Sequence, residues 1–206
     1  MTLWAVVPVK PFRQAKSRLA GVLTDAERVD LSRTMLSQTL AVLREITEIT
    51  TVVLVSADRL VLELAPAAGA MALLEPDPPD LNRALRLAGE TARAAGASAL
   101  LVVPADLPRL SAADLRSLIE RSGRQRCLVI ASDRHRRGTN ALLLIPPALI
   151  EFGFGAESFA RHVALGRAAG ARVEICNLAG LALDLDSPED LELLRREEPV
   201  LVPKES

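Results

Sequence analysis

Apolar residues in this chain gather into short unbroken runs, and between the runs they recur with the spacing of a helix face. Residues 2–9 form the first run, nearly continuous and ending at Pro8 and a cluster of cations, which suits a strand buried on both faces. A helix follows: Thr24 with Glu27 makes a capping box, and Leu36, Leu40 and Leu43 repeat at helical spacing as far as Ile46. Residues 51–56 return to a buried-strand run, 59–64 to a short helix and 70–74 to a strand, after which Asp80 caps a helix reaching Ala94. The fourth strand, 99–103, ends at Pro104-Ala105-Asp106-Leu107-Pro108, and Ser111 with Asp114 opens the next helix.

Four strand–helix units in succession predict an α/β fold with a mainly parallel sheet in three layers. The second half is less regular. Residues 127–132 and 139–145 read as strands around a basic loop, 133–138, and fit a hairpin-like excursion. Phe152-Gly153-Phe154-Gly155 leads into a helix over 158–169, and 171–176 and 181–185 read as strands. Ser187-Pro188-Glu189-Asp190 supplies an N-cap, a proline at the first helical position and an acid at the third, so a last helix starts there. Residues 1–206 read as a single domain, with 197–206 a frayed tail.

Composition removes several function classes. Half of the 206 residues are apolar, enough for a core without disulfides or a structural metal. The 25 basic and 26 acidic side chains give a net charge of −1, without the positive excess of a nucleic-acid binder, and four Phe, one Trp and no Tyr leave no base-stacking platform. No apolar run approaches the roughly 20 residues of a membrane span, and the first residues lack the charged start of a signal peptide, so a cytoplasmic protein is expected. Cys127 and Cys176 lie in apolar runs, and with only His135 and His162 beside them no metal-ligand spacing arises. Both cysteines read as core filler and His162 as a packed histidine.

In open parallel sheets ligands bind beyond the carboxyl ends of the strands. There the chain puts Lys10, Arg13, Lys16 and Arg18, then Glu75, Asp77 and Asp80, then Asp106, and finally Asp184 and Asp186. A Walker A sequence and G-x-G-x-x-G are both absent, which sets aside P-loop and dinucleotide chemistry. Asp184 and Asp186, two apart, would share one face of a strand. Unit charges about 4 Å apart interact by roughly 4 kcal/mol at an effective dielectric near 20, so such a pair calls for a cation. With Asp106 they make an oxygen-rich cage suited to Mg²⁺. The first loop is the complement, a mobile basic clamp for a triphosphate. Residues 133–139 offer a second basic cluster, and Gly155 with Ser158 a helix start, so two anion sites are expected.

Seven stretches, taken in order, carry a resemblance: Val7-Pro8-Val9-Lys10-Pro11, Ala15-Lys16-Ser17-Arg18-Leu19, Leu81-Asn82-Arg83-Ala84-Leu85, Pro104-Ala105-Asp106-Leu107-Pro108, Gly138-Thr139-Asn140-Ala141-Leu142, Phe154-Gly155-Ala156-Glu157-Ser158 and Asp184-Leu185-Asp186-Ser187-Pro188-Glu189-Asp190-Leu191. Together they resemble the CofC/FbiD family, guanylyltransferases of coenzyme F420 biosynthesis, across nearly the whole chain. The resemblance implies a Rossmann-like mixed sheet of the nucleotide-diphospho-sugar transferase (GT-A-like) type. It also implies transfer of GMP from GTP to a small phosphorylated acid, with release of pyrophosphate. Asp106, Asp184 and Asp186 then correspond to metal-holding and catalytic acids, and Thr139, Gly155 and Ser158 to contacts with the phosphorylated acid. Lys16, Arg18 and Asn82, with Lys10 in the same clamp, correspond to the GTP site, Lys16 also being catalytic.

One departure is visible. Related sugar-nucleotide transferases have a glycine-rich first loop, whereas this chain has only Gly21, well downstream, so side-chain cations must do more. Phosphoenolpyruvate, 2-phospho-L-lactate and 3-phosphoglycerate all remain open as acceptors, the Ala-, Leu- and Arg-heavy composition pointing by association to the first. Glu75, Asp77 or backbone carbonyls could read guanine, and relatives suggest a homodimer. The competing readings are a nucleotidyltransferase with another acceptor, such as a sugar phosphate or a pterin, and a non-catalytic GTP-binding regulator.

Overall fold

The unbroken apolar runs become the strands of one sheet. A computed structural model describes residues 1–123 and 125–197, and in it β1 (Leu3–Pro8), β2 (Ile49–Ser56), β3 (Met71–Leu74), β4 (Ala99–Val102), β5 (Cys127–Ser132), β6 (Thr139–Ile145) and β7 (Arg172–Cys176) lie in the order β3-β2-β1-β4-β6-β5-β7. Strand β6 is antiparallel to β4 and to β5, while the other neighbouring pairs run parallel. The expected excursion is therefore a β5–β6 hairpin pair whose second strand is wedged in beside β4. It makes the sheet mixed, as the resemblance implied.

Alternate residues of each central strand feed two separate cores. Leu3, Ala5 and Val7 of β1 pack with Leu36, Leu40 and Leu43 of α1 (Asp25–Arg44), Val61 of α2 (Arg59–Leu62) and Leu115 and Leu118 of α4 (Ala112–Glu120). Trp4 and Val6 face the opposite way, onto Ala84, Leu85 and Ala88 of α3 (Leu81–Ala94) and Phe159 and Val163 of α5 (Ser158–Ala168). Burial on both faces is why the strand runs read as continuous rather than alternating. Thr24 and Glu27 close a full capping box on α1, Ser111 and Asp114 one on α4, and Asp80 accepts the Arg83 amide at 2.8 Å. Each cap contributes about 1 kcal/mol and fixes where the preceding loop must end. Cys127 and Cys176 are both buried and free, within the first core.

Two loops depart from the sequence reading. The basic stretch after β1 is pinned rather than a mobile clamp. It folds into two 3-10 turns, Phe12–Gln14 and Ser17–Leu19, with Phe12, Ala15 and Leu19 buried and Arg33 of α1 stacked 5.5 Å over the Phe12 ring. Residues 181–185, expected as a strand, are instead the end of a short helix, α6 (Ala179–Ala182), and an extended connection. The helix is seated tightly: Gly180 packs so close to the capped start of α4 that a Cβ there would lie 2.5 Å from the Arg109 carbonyl oxygen, a contact that apolar runs alone do not reveal. Past it Leu183 is extended, and Leu185 donates its amide to the Asp106 carbonyl at 2.9 Å.

A third, small core joins these loops. Leu19, Met35 of α1, Leu185, and Leu191 and Leu194 of α7 (Pro188–Glu197) are mutually packed and buried. The expected frayed tail begins at the last residue of α7 and otherwise lies outside the described residues. Among the described residues no helix is long and apolar enough to cross a membrane.

Gly180→Ala is therefore expected to push α6 off α4 and to lower stability by about 1–3 kcal/mol, the range for overpacking. Gly21→Ala, where a Cβ would meet nothing within 4 Å, serves as control and should stay within about 0.5 kcal/mol. Urea midpoints of the two variants check this; equal values would remove the packing constraint on α6.

Candidate active site

The strand order reverses at β1, which has β2 on one side and β4 on the other. The crevice above their carboxyl ends is where a doubly wound sheet opens. Lys16 occupies it. Its ammonium lies 2.9 Å from Asp186 Oδ1 and 3.2 Å from Asp106 Oδ2, and its side chain is 7% exposed against 29% for Asp106 and 45% for Asp186. The backbone at Lys16 is left-handed, φ 54° and ψ 34°, an uncommon conformation for a residue with a Cβ. It is held there between the buried anchors Phe12, Ala15 and Leu19. Burial pulls the ammonium's pKa down, but the charges of Asp106 and Asp186 outweigh it and hold the value above that of an ordinary lysine.

Asp184 belongs to the same rim. Burial, followed by the Asp106 charge, pushes its carboxyl above the usual carboxylate range, and Asp186 adds to the push. Asn140 of β6 opposes this by donating to Asp184 Oδ1 at 3.4 Å while its amide also reaches the Leu181 carbonyl at 2.8 Å. Leu185, between Asp184 and Asp186, is buried, and the Asp186 charge is felt at Asp184. One oxygen in the cluster lacks a partner: Asp106 Oδ1 is buried and accepts no hydrogen bond. Among the described residues no three carboxylates stand together as a ready metal cage, since Lys16 lies between Asp106 and Asp186.

Behind Asp186, Asp190 fixes the backbone. Its Oδ2 accepts the amides of Asp186 at 3.0 Å and Ser187 at 2.8 Å and the Ser187 hydroxyl at 2.8 Å, while Oδ1 meets Arg134 at 2.6 Å. Burial raises the Asp190 pKa, but these hydrogen bonds and the Arg134 charge bring it below the usual range. The basic loop 133–138 is thus not a free anion site. Arg134 is paired with Asp190, Arg137 with Glu157 at 2.7 Å, and Arg136 lies 5.5 Å over the Phe159 ring.

On the other side of Asn140 the loop before α5 is built around two polar side chains. Asn82, at the start of α3, accepts the Phe154 amide at 2.7 Å and donates to the Phe154 carbonyl at 3.2 Å. His162, fully buried, accepts the Gly153 amide on Nε2 at 3.0 Å and meets Thr139 Oγ1 with Nδ1 at 3.0 Å. The loop then turns through Gly155 at φ 121°, open to glycine alone without strain although a Cβ would meet nothing within 4 Å, and Ser158 begins α5 buried.

The structure thus brings Lys16, Asp106, Asp184 and Asp186 to one rim and ties Thr139 to the loop carrying Gly155 and Ser158. Lys10, Arg13 and Arg18 are exposed around the first loop, and Asp77 is exposed and Glu75 half-buried after β3. A cleft of about 450 Å³ opens beside Asn82, lined also by Asp80, Arg83, Arg86, Glu151 and Phe152. Sequence reasoning gave no role to Asn140, to the Asp190–Arg134 pair or to the bonding of His162. A polar Asn near the start of the apolar run 139–145 was the one available signal; the others depend on tertiary contacts.

Known proteins give the same outline. The family described as "Guanylyl transferase CofC like" matches residues 3–196. A Sphaerobacter thermophilus protein named phosphoenolpyruvate guanylyltransferase is 44% identical over 97% of this chain and 96% of its own. A Methanothermobacter thermautotrophicus protein named 2-phospho-L-lactate guanylyltransferase is 33% identical over 93% and 83%. Among solved structures, a Desulfovibrio desulfuricans protein described as a nucleotide-diphospho-sugar transferase superposes with a TM-score of 0.77 at 18% identity, over 97% of this chain and 89% of that one, which bears on the fold.

His162 gives the site a pH signature. Burial, and then the Arg161 charge, lower its pKa from 6.5 to about 4. The unfolded chain therefore takes up this proton first as pH falls, so the stability contribution is complete above about pH 6.5 and is lost through about pH 4, to a total of about 3 kcal/mol. Urea unfolding between pH 7 and pH 4 should show this loss in the wild type and not in His162→Phe; equal pH slopes would contradict a neutral buried imidazole.

Proposed function

Because the chain belongs to the family of CofC-like guanylyl transferases, we propose that it transfers GMP from GTP to phosphoenolpyruvate and releases pyrophosphate, a step of coenzyme F420 biosynthesis. The observation that carries this reading is the charge cluster at the switch point, one ammonium between two carboxylates with a third carboxyl beside them. The reaction joins two polyanions, and their repulsion is the main barrier. A phosphate oxygen of the acceptor attacks the α-phosphorus of GTP, forming a new P–O bond as the bond to the β-phosphate breaks and pyrophosphate leaves in line. No protein nucleophile is needed, because the acceptor phosphate is already ionised near neutral pH; positioning and charge neutralisation suffice.

The residues have separable tasks. Lys16, held between Asp106 and Asp186, has the reach to turn toward the phosphates, and Arg18 and Lys10 are exposed beside it to steady the triphosphate and the departing pyrophosphate. Asn82 sets the wall of a cleft of about 450 Å³, within the size range of small-ligand sites, where GTP would be received. Thr139, Gly155 and Ser158 line the approach for the phosphorylated acid. A divalent metal fits the donor set once the Lys16 ammonium turns aside: Asp106 Oδ1 is buried without a partner, burial and then the Asp106 charge push Asp184 up, and every candidate ligand is a hard oxygen. Asp106, Asp184 and Asp186 would hold Mg²⁺, which when bound supplies charge neutralisation at the phosphates. The protein whose name carries phosphoenolpyruvate is the more similar of the two relatives, 44% against 33% identical, and this favours that acceptor.

Pyrophosphate release with GTP or ATP and each of phosphoenolpyruvate, 2-phospho-L-lactate and 3-phosphoglycerate tests the reading. The expected result is turnover with GTP and phosphoenolpyruvate foremost, lowered about a hundredfold or more in Asp106→Asn. Preference for ATP, indifference to the acid, or GTP binding without turnover would overturn it.

A further inference from the structure

His162 makes two hydrogen bonds of opposite sense, and only one arrangement of its ring proton allows both. The Gly153 N–H can only donate, so Nε2, 3.0 Å away, must present its lone pair. A neutral imidazole then carries its single proton on Nδ1. The contact between Nδ1 and Thr139 Oγ1, also 3.0 Å, is therefore a bond in which the histidine donates and the threonine accepts. The ring has little freedom to do otherwise: it is fully buried, and the Phe154 ring meets it edge-on, centroids 4.8 Å apart and planes at 65°. Phe154 is itself clamped by both ends of the Asn82 amide.

We propose that His162 is a positioning residue that makes the Thr139 hydroxyl a donor toward the phosphorylated acid. A hydroxyl has one hydrogen to give and two lone pairs to receive with. With one lone pair engaged by Nδ1–H, the Thr139 hydrogen is directed away from the ring, and an oxyanion is the group that gains from it. The same helix carries Ser158 one turn earlier, so α5 sets the donor at Thr139 and the Ser158 contact together. Preference for a charged acceptor over a neutral alcohol follows, because the hydrogen held out by Thr139 bonds an oxyanion more strongly than a neutral oxygen. This inference rests on the reading of Thr139 as an acceptor contact.

Two substitutions separate the halves of the relay. In His162→Asn the amide nitrogen can take the place of Nδ1 and still donate to Thr139; in His162→Gln the amide oxygen can take the place of Nε2 and serve Gly153 alone. The Gln variant is expected to raise KM for the acid by about 10- to 100-fold, the weight of a hydrogen bond to a charged group, with KM for GTP unchanged. The Asn variant should keep the acid's KM within about threefold. Equal effects, or the reverse order, would overturn the proposal. Should either variant fail to fold, ¹⁵N NMR of the wild-type imidazole decides: Nδ1 protonated and Nε2 bare is expected, and a proton on Nε2 would overturn it. Failure of the functional reading looks different, as wild-type protein that releases no pyrophosphate with any acid.

Discussion

Two carboxylates converge above the switch point of this sheet, and the rest of the site depends on the cation between them. Asp106 follows β4 and Asp186 follows the extended connection after α6, so their meeting is a consequence of topology. Left alone they would repel. Lys16 answers that repulsion from the loop after β1, at the cost of a left-handed backbone that buried neighbours enforce. Because Asp186 is nearly half exposed, water screens part of the attraction and the pairing adds little to stability. In the proposed function its value lies in holding positive charge where the phosphates would arrive.

The scaffold braces this cluster from both directions. Leu19, three residues after Lys16, and Leu185, between Asp184 and Asp186, share one small core, so cation and carboxylates cannot drift apart independently. Asp190 with Arg134 fixes the Asp186 backbone, and the Leu185 amide bonds to Asp106 itself. Across Asn140, a second rigid unit of Thr139, His162 and the Phe154 loop stands where an acceptor would approach. Two preorganised halves facing one crevice suit a reaction whose barrier is charge repulsion and alignment.

Much of this was legible in the sequence because strands buried on both faces write themselves as unbroken apolar runs, and Thr24, Asp80 and Ser111 announce their helices. The meeting of Lys16, Asp106, Asp184 and Asp186 was legible for a related reason, since residues just after strand ends gather on one edge of an open sheet. What escaped was set by contacts distant in sequence. Residues 181–185 read as a strand, and the helical turn found there packs through Gly180 against the Arg109 carbonyl, a contact distant in sequence. The basic loop 133–138 looked free because its partners, Asp190 and Glu157, lie far along the chain. His162 read as mere packing, and its burial is real, but nothing local reveals that each ring nitrogen has an assigned partner.

In the proposed function one rim carries both the charge that receives the phosphates and the acids that hold the metal. A crystal structure with a non-hydrolysable GTP analogue and Mg²⁺ tests it most directly. The expected result is electron density for the ion on Asp106, with Asp184 or Asp186 beside it, and the Lys16 ammonium turned from the carboxylates onto the phosphates. Nucleotide and ion bound elsewhere, with Lys16 still bridging Asp106 and Asp186, would contradict it.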